Sequence, residues 1–435
     1  MKFTKVCIIG LGYIGLPTAS TFATHGLQVV GVDINTEVIS TLRNGGVHIS
    51  EPGLRLLVQE ALESGHLTLN DTPENADAFI IAVPTPFSED EEGCYDGQSY
   101  RLADMRAVTA ATESIVPHLR SGNLVVLEST SPPRTTIDLV RPILESSGLK
   151  AGSDFHLAYS PERVLPGKII QELTENARVI GGIDEASAIA GRDLYTHFVK
   201  GEIVLTDATT AEMVKLMENT YRDVNIAIAN EFSRLAVRFG VDIWEAIRIA
   251  NRHPRVKILN PGPGVGGHCI SVDPWFLVEG APDLTELIST ARHVNDGQPH
   301  FVLHLIKDVV GDDLSGKHIA ALGLAFKPDV DDLRESPAIQ VAKLLAEAGA
   351  IVCAYEPYKL DAYIPGVHSV HTLEDAIGDA DLLVLLVGHR ELKELDPQKM
   401  LKLTPARLAV DTVAGWEVQP WIKAGFKLIR LGVGK

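Results

Sequence analysis

The chain has 435 residues, enough for two or three domains and a sizeable buried core. It is 45% hydrophobic and 22% charged, an ordinary globular composition, and its net charge of −18 argues against nucleic acid or an anionic membrane as partner. Four cysteines do not make a disulfide framework, no apolar run reaches membrane-span length, and the first strand-like run starts at Lys5, which leaves no room for a signal peptide; a cytoplasmic location is expected.

The first run, Lys5-Val-Cys-Ile-Ile9, leads into Gly10-Leu-Gly12-Tyr13-Ile14-Gly15, a helix over about 14–25 and a second strand over 28–33 ending in Asp33. In such a strand–turn–helix unit the first glycine permits a tight turn. The second lets backbone approach a pyrophosphate, and the third allows close helix–strand packing. Asp33 stands 18 residues after Gly15, where an acid accepts hydrogen bonds from the adenosine ribose and repels a 2′-phosphate, so NAD is expected over NADP.

Further strands at 79–83, 124–128 and 155–159 end in polar or proline turns. Ligands of an open α/β sheet lie at the carboxyl ends of strands. Thr85 and Thr130 are therefore candidate cofactor contacts, and Glu162, in Ser160-Pro-Glu-Arg163, a candidate to face the reacting centre. Hydroxyls that merely organise their own turns are the competing reading of the two threonines. Ser88 to Gly97 reads as an acidic loop holding Cys94.

From about Thr209 to Asn251 helix dominates, with Thr209 and Glu212 fitting a capping box. Lys215, Asn219 and Arg222 fall on one stripe of it, either a solvated face or the lining of a cleft. Met213, Leu216, Ile226, Ile228 and Phe232 point in several directions, more apolar surface than one cleft covers, so a homodimer or a dimer of dimers is expected. A basic cluster follows, Asn251-Arg-His253-Pro-Arg255-Val-Lys257, suited to holding a pyrophosphate.

Next comes Pro261-Gly-Pro-Gly-Val-Gly266-Gly-His-Cys269-Ile-Ser-Val-Asp273, which sets a thiol after a glycine-rich loop with His268 beside it. Cys7 and Cys353 lie in apolar strand-like runs and read as core residues, because free cysteine packs as a small hydrophobe. Cys269 is the thiol placed for reaction, with a buried structural thiol as the competing reading.

The strand–helix–strand pattern then recurs. His318 to Gly323 is a strand, Pro337 to Ala348 a helix with Ser336 as N-cap, and Ile351 to Glu356 a strand with an acidic end. The glycine turn is replaced by a longer segment, Leu324 to Ser336, which includes Lys327 and Arg334. The expected fold is α/β, with two Rossmann-like doubly wound domains (1–205 and 306–435) joined by a central, mainly helical domain (206–305).

A nicotinamide cofactor removes hydride, and a thiolate can hold an aldehyde as a thiohemiacetal for a second hydride removal. The glycine turn and Cys269 together point to oxidation of an alcohol to an acid. These features, with Ser160-Pro-Glu-Arg-Val-Leu-Pro-Gly167, Ala211-Glu-Met-Val-Lys-Leu-Met-Glu-Asn219 and Gly323-Leu-Ala-Phe-Lys327, resemble the nucleotide-sugar 6-dehydrogenase family over essentially the whole chain. Within it the chain looks most like the members that act on UDP-N-acetyl-D-mannosamine. The UDP-glucose members usually carry Pro-Glu-Phe where Arg163 stands here.

The resemblance implies NAD, a UDP-N-acetylhexosamine substrate, no metal, and a product used for surface polysaccharide. It implies Cys269 as nucleophile and Lys215 as acid–base group or oxyanion stabiliser. Asn219 and Asp273 would order the reacting oxygen and a water, and Glu162 would assist thioester hydrolysis. Arg163, Val164, Lys215, Asn219, Arg222, His253, Arg255, Gly266 and Lys327 are the implied substrate contacts. Gly10, Gly12, Tyr13, Ile14, Gly15, Asp33, Thr85 and Thr130 are the implied cofactor contacts, with Arg334 reaching NAD from a neighbouring unit. The UDP-GlcNAc and UDP-GalNAc epimers stay open, as do a two-electron dehydrogenase with an incidental thiol and a non-catalytic NAD-binding protein.

Overall fold

A computed structural model describes residues 2–267 and 269–434, and of Glu89 the backbone alone. The chain forms two compact units, Met1–Glu218 with Trp275–Leu284, and Asn219–Pro274 with Thr285–Lys435. His268 lies outside the described residues.

The first unit is built on an eight-stranded sheet in the order Ile203–Asp207, Arg178–Gly182, His156–Tyr159, Leu124–Leu127, Ala78–Ile81, Lys5–Ile9, Gln28–Val32, Leu67–Asn70. Every neighbouring pair is parallel except His156–Tyr159 with Arg178–Gly182. Side chains alternate across the pleat. Val6, Ile8, Val29 and Ile80 pack on one face with Leu16, Ala19 and Phe22 of the helix Gly15–Thr24. Cys7, Ile9, Val30 and Phe79 pack on the other with Val108, Ala111 and Ile115 of the helix Arg106–Ile115. Both faces are covered, so the strands read as continuous apolar runs. Lys5–Ile9 has Gln28–Val32 on one side and Ala78–Ile81 on the other, which opens a crevice beyond its carboxyl end.

The second unit carries a six-stranded, all-parallel sheet in the order His368–Val370, Ile351–Tyr355, His318–Leu322, Leu382–Leu385, Leu408–Asp411, Lys427–Arg430. Ile319 and Ala321 pack with Val302, Ile306 and Val341, while Ala320 and Leu322 pack with Met400, Trp416 and Trp421. The two sheets repeat one local design. In the first, Asp33 at the end of the second strand accepts the Leu11 backbone N–H at 2.9 Å. In the second, Glu356 accepts those of Leu324 and Ala325 at 2.6 and 2.8 Å.

The long helix spans Ala208–Phe239 and is followed by Ile243–Ala250, whose N-cap Asp242 accepts from Trp244 and Glu245. In the second unit its buried Asp223 pairs with Arg292 at 2.6 Å, and its Asn230 donates its amide to the Asn295 side-chain oxygen at 2.9 Å and accepts the Gly262 backbone N–H at 3.0 Å. Arg292 and Asn295 belong to the helix Glu286–Asp296.

Several expectations are corrected. The capping box fails: Asp207 accepts from both the backbone N–H and the hydroxyl of Thr210, while Glu212 turns away to bind Arg134 and Thr136. Pro337 does open its helix, but the Ser336 hydroxyl makes no cap bond. Ser88 to Gly97 is not a loop. It forms most of a hairpin, Phe87–Tyr95 against Gln98–Ala103, with Cys94 exposed on it. Cys353 is only half-buried, because just one face of Ile351–Tyr355 is fully covered. Of the apolar helix residues, Leu216 is buried, whereas Met213, Ile228 and Phe232 are exposed together with Met217, Tyr221, Leu235 and Phe239.

Candidate active site

In the first unit the glycine turn has three different reasons for its three glycines. Gly10 has φ +94°, and a Cβ there would stand 2.5 Å from the Ala82 carbonyl oxygen. At Gly15 a Cβ would fall 1.8 Å from the Gly10 carbonyl oxygen. Gly12 has no protein atom within 4 Å of that position, so its backbone presents an open surface at the helix start, which fits a pyrophosphate. Tyr13 and Ile14 are half-buried beside it. The second Asp33 oxygen accepts the Asn35 backbone N–H at 2.8 Å, and the side chain is half-buried, which leaves carboxylate edge available to a ribose. The residues present fit a dinucleotide. Thr85 donates its hydroxyl to the Thr130 carbonyl at 2.7 Å, tying the turns that follow two adjacent strands.

Glu162 follows the strand His156–Tyr159 and is 8% exposed. Burial pushes its carboxyl above the ordinary carboxylate range, and the nearby Lys215 charge and the Val164 backbone N–H, which it accepts at 2.7 Å, oppose that only in part. Lys215 is itself buried. Arg163 binds Glu218 through two guanidinium nitrogens at 2.5 and 3.0 Å and donates a third bond to the Ala177 carbonyl. Behind Glu162 lies a group that sequence reasoning missed. Buried Arg178 donates to Glu128 at 2.9 Å and to the Ser160 hydroxyl at 3.0 Å, and stacks over Tyr195 at 4.1 Å. An arginine opening the apolar run Arg178-Val-Ile-Gly-Gly182 and an acid closing the strand before Ser129 were its only signals.

Glu212, one turn before Lys215, accepts from the backbone N–H groups of Arg134 and Thr136 and from the Thr136 hydroxyl at 2.5–2.8 Å. The lysine's helix is thereby fastened to the segment that follows Thr130.

In the second unit, Cys269 is half-buried and lies one turn ahead of Asp273. The Asp273 backbone N–H bonds the Cys269 carbonyl at 2.8 Å, and its buried carboxylate receives the Asn219 amide at 2.5 Å. The preceding glycines are dictated by close approach. A Cβ at Gly266 would stand 2.5 Å from the Glu335 carbonyl oxygen, and one at Gly267 (φ +88°) 2.9 Å from the Phe326 ring. Gly267 also donates its N–H to the Arg334 carbonyl at 3.0 Å. The loop before the thiol therefore lies flat against 326–335, the segment that carries Lys327 and Arg334. The Arg334 guanidinium is held by Asp332 at 2.7 Å, and Lys327 sits near the Phe326 ring. Arg222, His253 and Arg255 are exposed in this unit.

Two of the other thiols, Cys7 and Cys353, are unsuited to nucleophilic work. Burial drives Cys7 up to about 11, and it raises Cys353 as well. Among the described residues no helix is long and apolar enough to cross a membrane, and no group of three or more His, Cys, Asp and Glu side chains could hold a metal ion.

Comparison with known proteins accounts for nearly all of the chain. Residues 4–199 match the NAD binding domain of the UDP-glucose/GDP-mannose dehydrogenase family, 209–297 its central domain and 320–417 its UDP binding domain. A UDP-N-acetyl-D-mannosamine dehydrogenase of Methanocaldococcus jannaschii is 46% identical over 99% of this chain and 97% of its own. An NDP-N-acetyl-D-galactosaminuronic acid dehydrogenase of Ralstonia solanacearum is 44% identical over 96% of this chain and 98% of its own. Among solved structures, a UDP-D-ManNAc dehydrogenase from Pyrococcus horikoshii superposes with a TM-score of 0.90 at 40% identity, covering 99% of this chain and 100% of that one.

Proposed function

The chain belongs to the UDP-glucose/GDP-mannose dehydrogenase family, and on that premise we propose that it oxidises the C6 alcohol of UDP-N-acetyl-D-mannosamine to the uronic acid. The overall change takes RCH2OH, two NAD+ and water to RCOO−, two NADH and three protons. Bound NAD supplies the hydride acceptor, one molecule for each oxidation.

The observation that carries this reading is the chain of contacts from Asn219 through the buried Asp273 carboxylate to the turn that holds Cys269. Asp273 and Asn219 order the reacting oxygen and later the water. Lys215 stabilises the oxyanion as it develops. The Cys269 thiolate adds to the aldehyde carbon to give a thiohemiacetal, whose oxidation leaves a thioester. Glu162, raised by burial, takes a proton from the water that cleaves the thioester. Arg163, Val164, Arg222, His253, Arg255, Gly266 and Lys327 contact the UDP-sugar. Gly10, Gly12, Tyr13, Ile14, Gly15, Asp33, Thr85 and Thr130 contact NAD, with Arg334 supplied by a neighbouring subunit.

Three further readings belong to the same proposal. The domain limits fall near 205 and 305, which agrees with the gaps between the three matched segments. The exposed apolar positions of Ala208–Phe239 are covered by a second copy in a homodimer or a dimer of dimers, and the protein works in the cytoplasm. A second substrate reading, the galacto epimer, is favoured by the 44% identity to the Ralstonia enzyme.

The test is to incubate the pure protein with NAD and each of UDP-ManNAc, UDP-GalNAc and UDP-GlcNAc, counting NADH per sugar consumed. Two NADH with UDP-ManNAc supports the proposal. One NADH and an aldehyde or ketone product would reduce the enzyme to a two-electron dehydrogenase.

A further inference from the structure

His389 stands just beyond the strand Leu382–Leu385, completely buried, and no part of the reaction above uses it. Its Nδ1 lies 2.9 Å from the Asp329 backbone nitrogen. A backbone N–H can only donate, so Nδ1 must be the unprotonated nitrogen. The ring proton then sits on Nε2 and is donated to the Glu356 carboxylate at 3.1 Å. Burial acts to raise Glu356, but the His389 bond and the backbone N–H groups of Leu324 and Tyr358 outweigh it and hold the acid below its ordinary range.

The residue fixed by this ring is unusual. Asp329 has φ +61°, a left-handed conformation that side chains other than glycine rarely take. Its carboxylate accepts the Arg390 backbone N–H at 2.8 Å and the Tyr358 hydroxyl at 3.1 Å, and the Tyr358 ring stacks on His389 at 4.9 Å. Glu356 fastens the segment at Leu324 and Ala325, and His389 fastens it at Asp329. Only Phe326, Lys327 and Pro328 lie between those anchors. Phe326 is the ring on which Gly267 rests, and Lys327 is the cation assigned to the UDP-sugar.

We propose that His389 is a positioning residue for the nucleotide-sugar: as a neutral imidazole it clamps the Asp329 amide and so sets Lys327 and the Phe326 platform beneath the nucleophile loop. The inference rests on the UDP-sugar reading above for its ligand, but the clamp itself does not. An asparagine at this position puts its Oδ1 where Nδ1 stands and can still accept the Asp329 N–H. A glutamine puts its amide nitrogen near Nε2, keeping the bond to Glu356 and losing the one to Asp329.

The experiment compares His389→Asn, His389→Gln and the wild type by calorimetric titration with UDP, steady-state kinetics with UDP-ManNAc, and hydrogen exchange of the ligand-free protein. His389→Asn should bind UDP within about threefold of wild type, whereas His389→Gln should lose about tenfold or more in UDP affinity and in KM for the sugar, with kcat little changed. Exchange across 324–330 should speed up in the glutamine variant alone. Equal behaviour of the two variants, or a fall in kcat without a change in KM, would overturn the clamp. If neither variant folds, Tyr358→Phe decides: it removes only the hydroxyl bonded to Asp329 and should weaken UDP binding several-fold, and unchanged binding overturns the proposal. Should the wild type bind no UDP, the substrate reading fails, while the exchange comparison still judges the clamp.

Discussion

The side-chain amide of Asn219 donates to the carboxylate of Asp273 over 2.5 Å, in a place where Asp273 is almost fully buried. The donor at that spot is a neutral amide. Asn219→Asp would set two carboxylates against each other, and both cannot ionise at that range. Activity at pH 8 should fall about a hundredfold and recover in part toward pH 6, where one acid takes up the proton. A pH–rate profile parallel to that of the wild type would show that the contact is not part of the chemistry.

Replacing Cys269 by serine should leave the thermal midpoint nearly unchanged and cut acid formation by about three orders of magnitude or more, because an alkoxide is harder to form and an ester hydrolyses less readily than a thioester. Cys7→Ser should do the reverse. Its hydroxyl would enter a fully buried strand and cost about 1–3 kcal/mol of stability with turnover retained. Denaturant titration and NADH yield separate the two.

Glu162 gives a prediction with a definite sign. Its folded carboxyl is raised by burial, so between the ordinary carboxylate pKa and that raised value the native state holds a proton that the unfolded chain has released. The contribution to stability therefore declines as pH rises through that window. Glu162→Gln keeps an oxygen for the Val164 N–H and lacks the titration, so its midpoint minus that of the wild type should grow with pH. The same variant should slow acid release about a hundredfold while leaving the first oxidation faster than the second. A midpoint difference that is flat from pH 4 to pH 8 would contradict the first part.

Asp33 should enforce NAD over NADP by about a hundredfold or more in kcat/KM, since like charges brought into contact cost several kcal/mol. Asp33→Asn retains an acceptor for the Leu11 N–H and removes the charge, so it should narrow the ratio chiefly by improving NADP. Initial rates with both cofactors provide the measurement.

Light scattering should return a multiple of the 47.0 kDa chain mass. Phe232→Glu, which charges one of the exposed apolar positions on the long helix, should shift the species toward the monomer. A monomeric wild type at micromolar concentration would leave that face to some other role.

What could be read from the sequence was what is local. Gly10, Gly15 and Asp33 announce their backbone geometry within one strand–turn–helix unit, and the structure places each as that unit requires. Glu162, Lys215 and Cys269 stood out singly, by a strand end, a helix stripe and a glycine-rich loop, but their separate roles had to come from resemblance, because no spacing rule connects them. The unforeseen pairs are far apart in sequence: Glu356 and His389 by 33 residues, Glu128 and Arg178 by 50, Asp223 and Arg292 by 69. Nothing in a linear pattern says which buried acid will meet which base. Glu212 shows the opposite failure. It had the right spacing to cap its own helix, but orphan N–H groups at Arg134 and Thr136 captured it instead, a tertiary demand overriding a local one.

The two acids at equivalent strand ends also differ in how much of themselves they have left. A carboxylate offers about four acceptor positions. Glu356 receives Leu324, Ala325 and His389 on one oxygen and Tyr358 on the other; among the described residues Asp33 receives Leu11 on one oxygen and Asn35 on the other. Glu356 is also buried where Asp33 is half-exposed, so the second layout keeps the shape of the first while enclosing its strand-end acid. A nucleotide held by the second sheet must present its sugar to other groups. The two halves of the protein therefore offer different strand-end acids, one open to a ribose and one enclosed by its own backbone and His389.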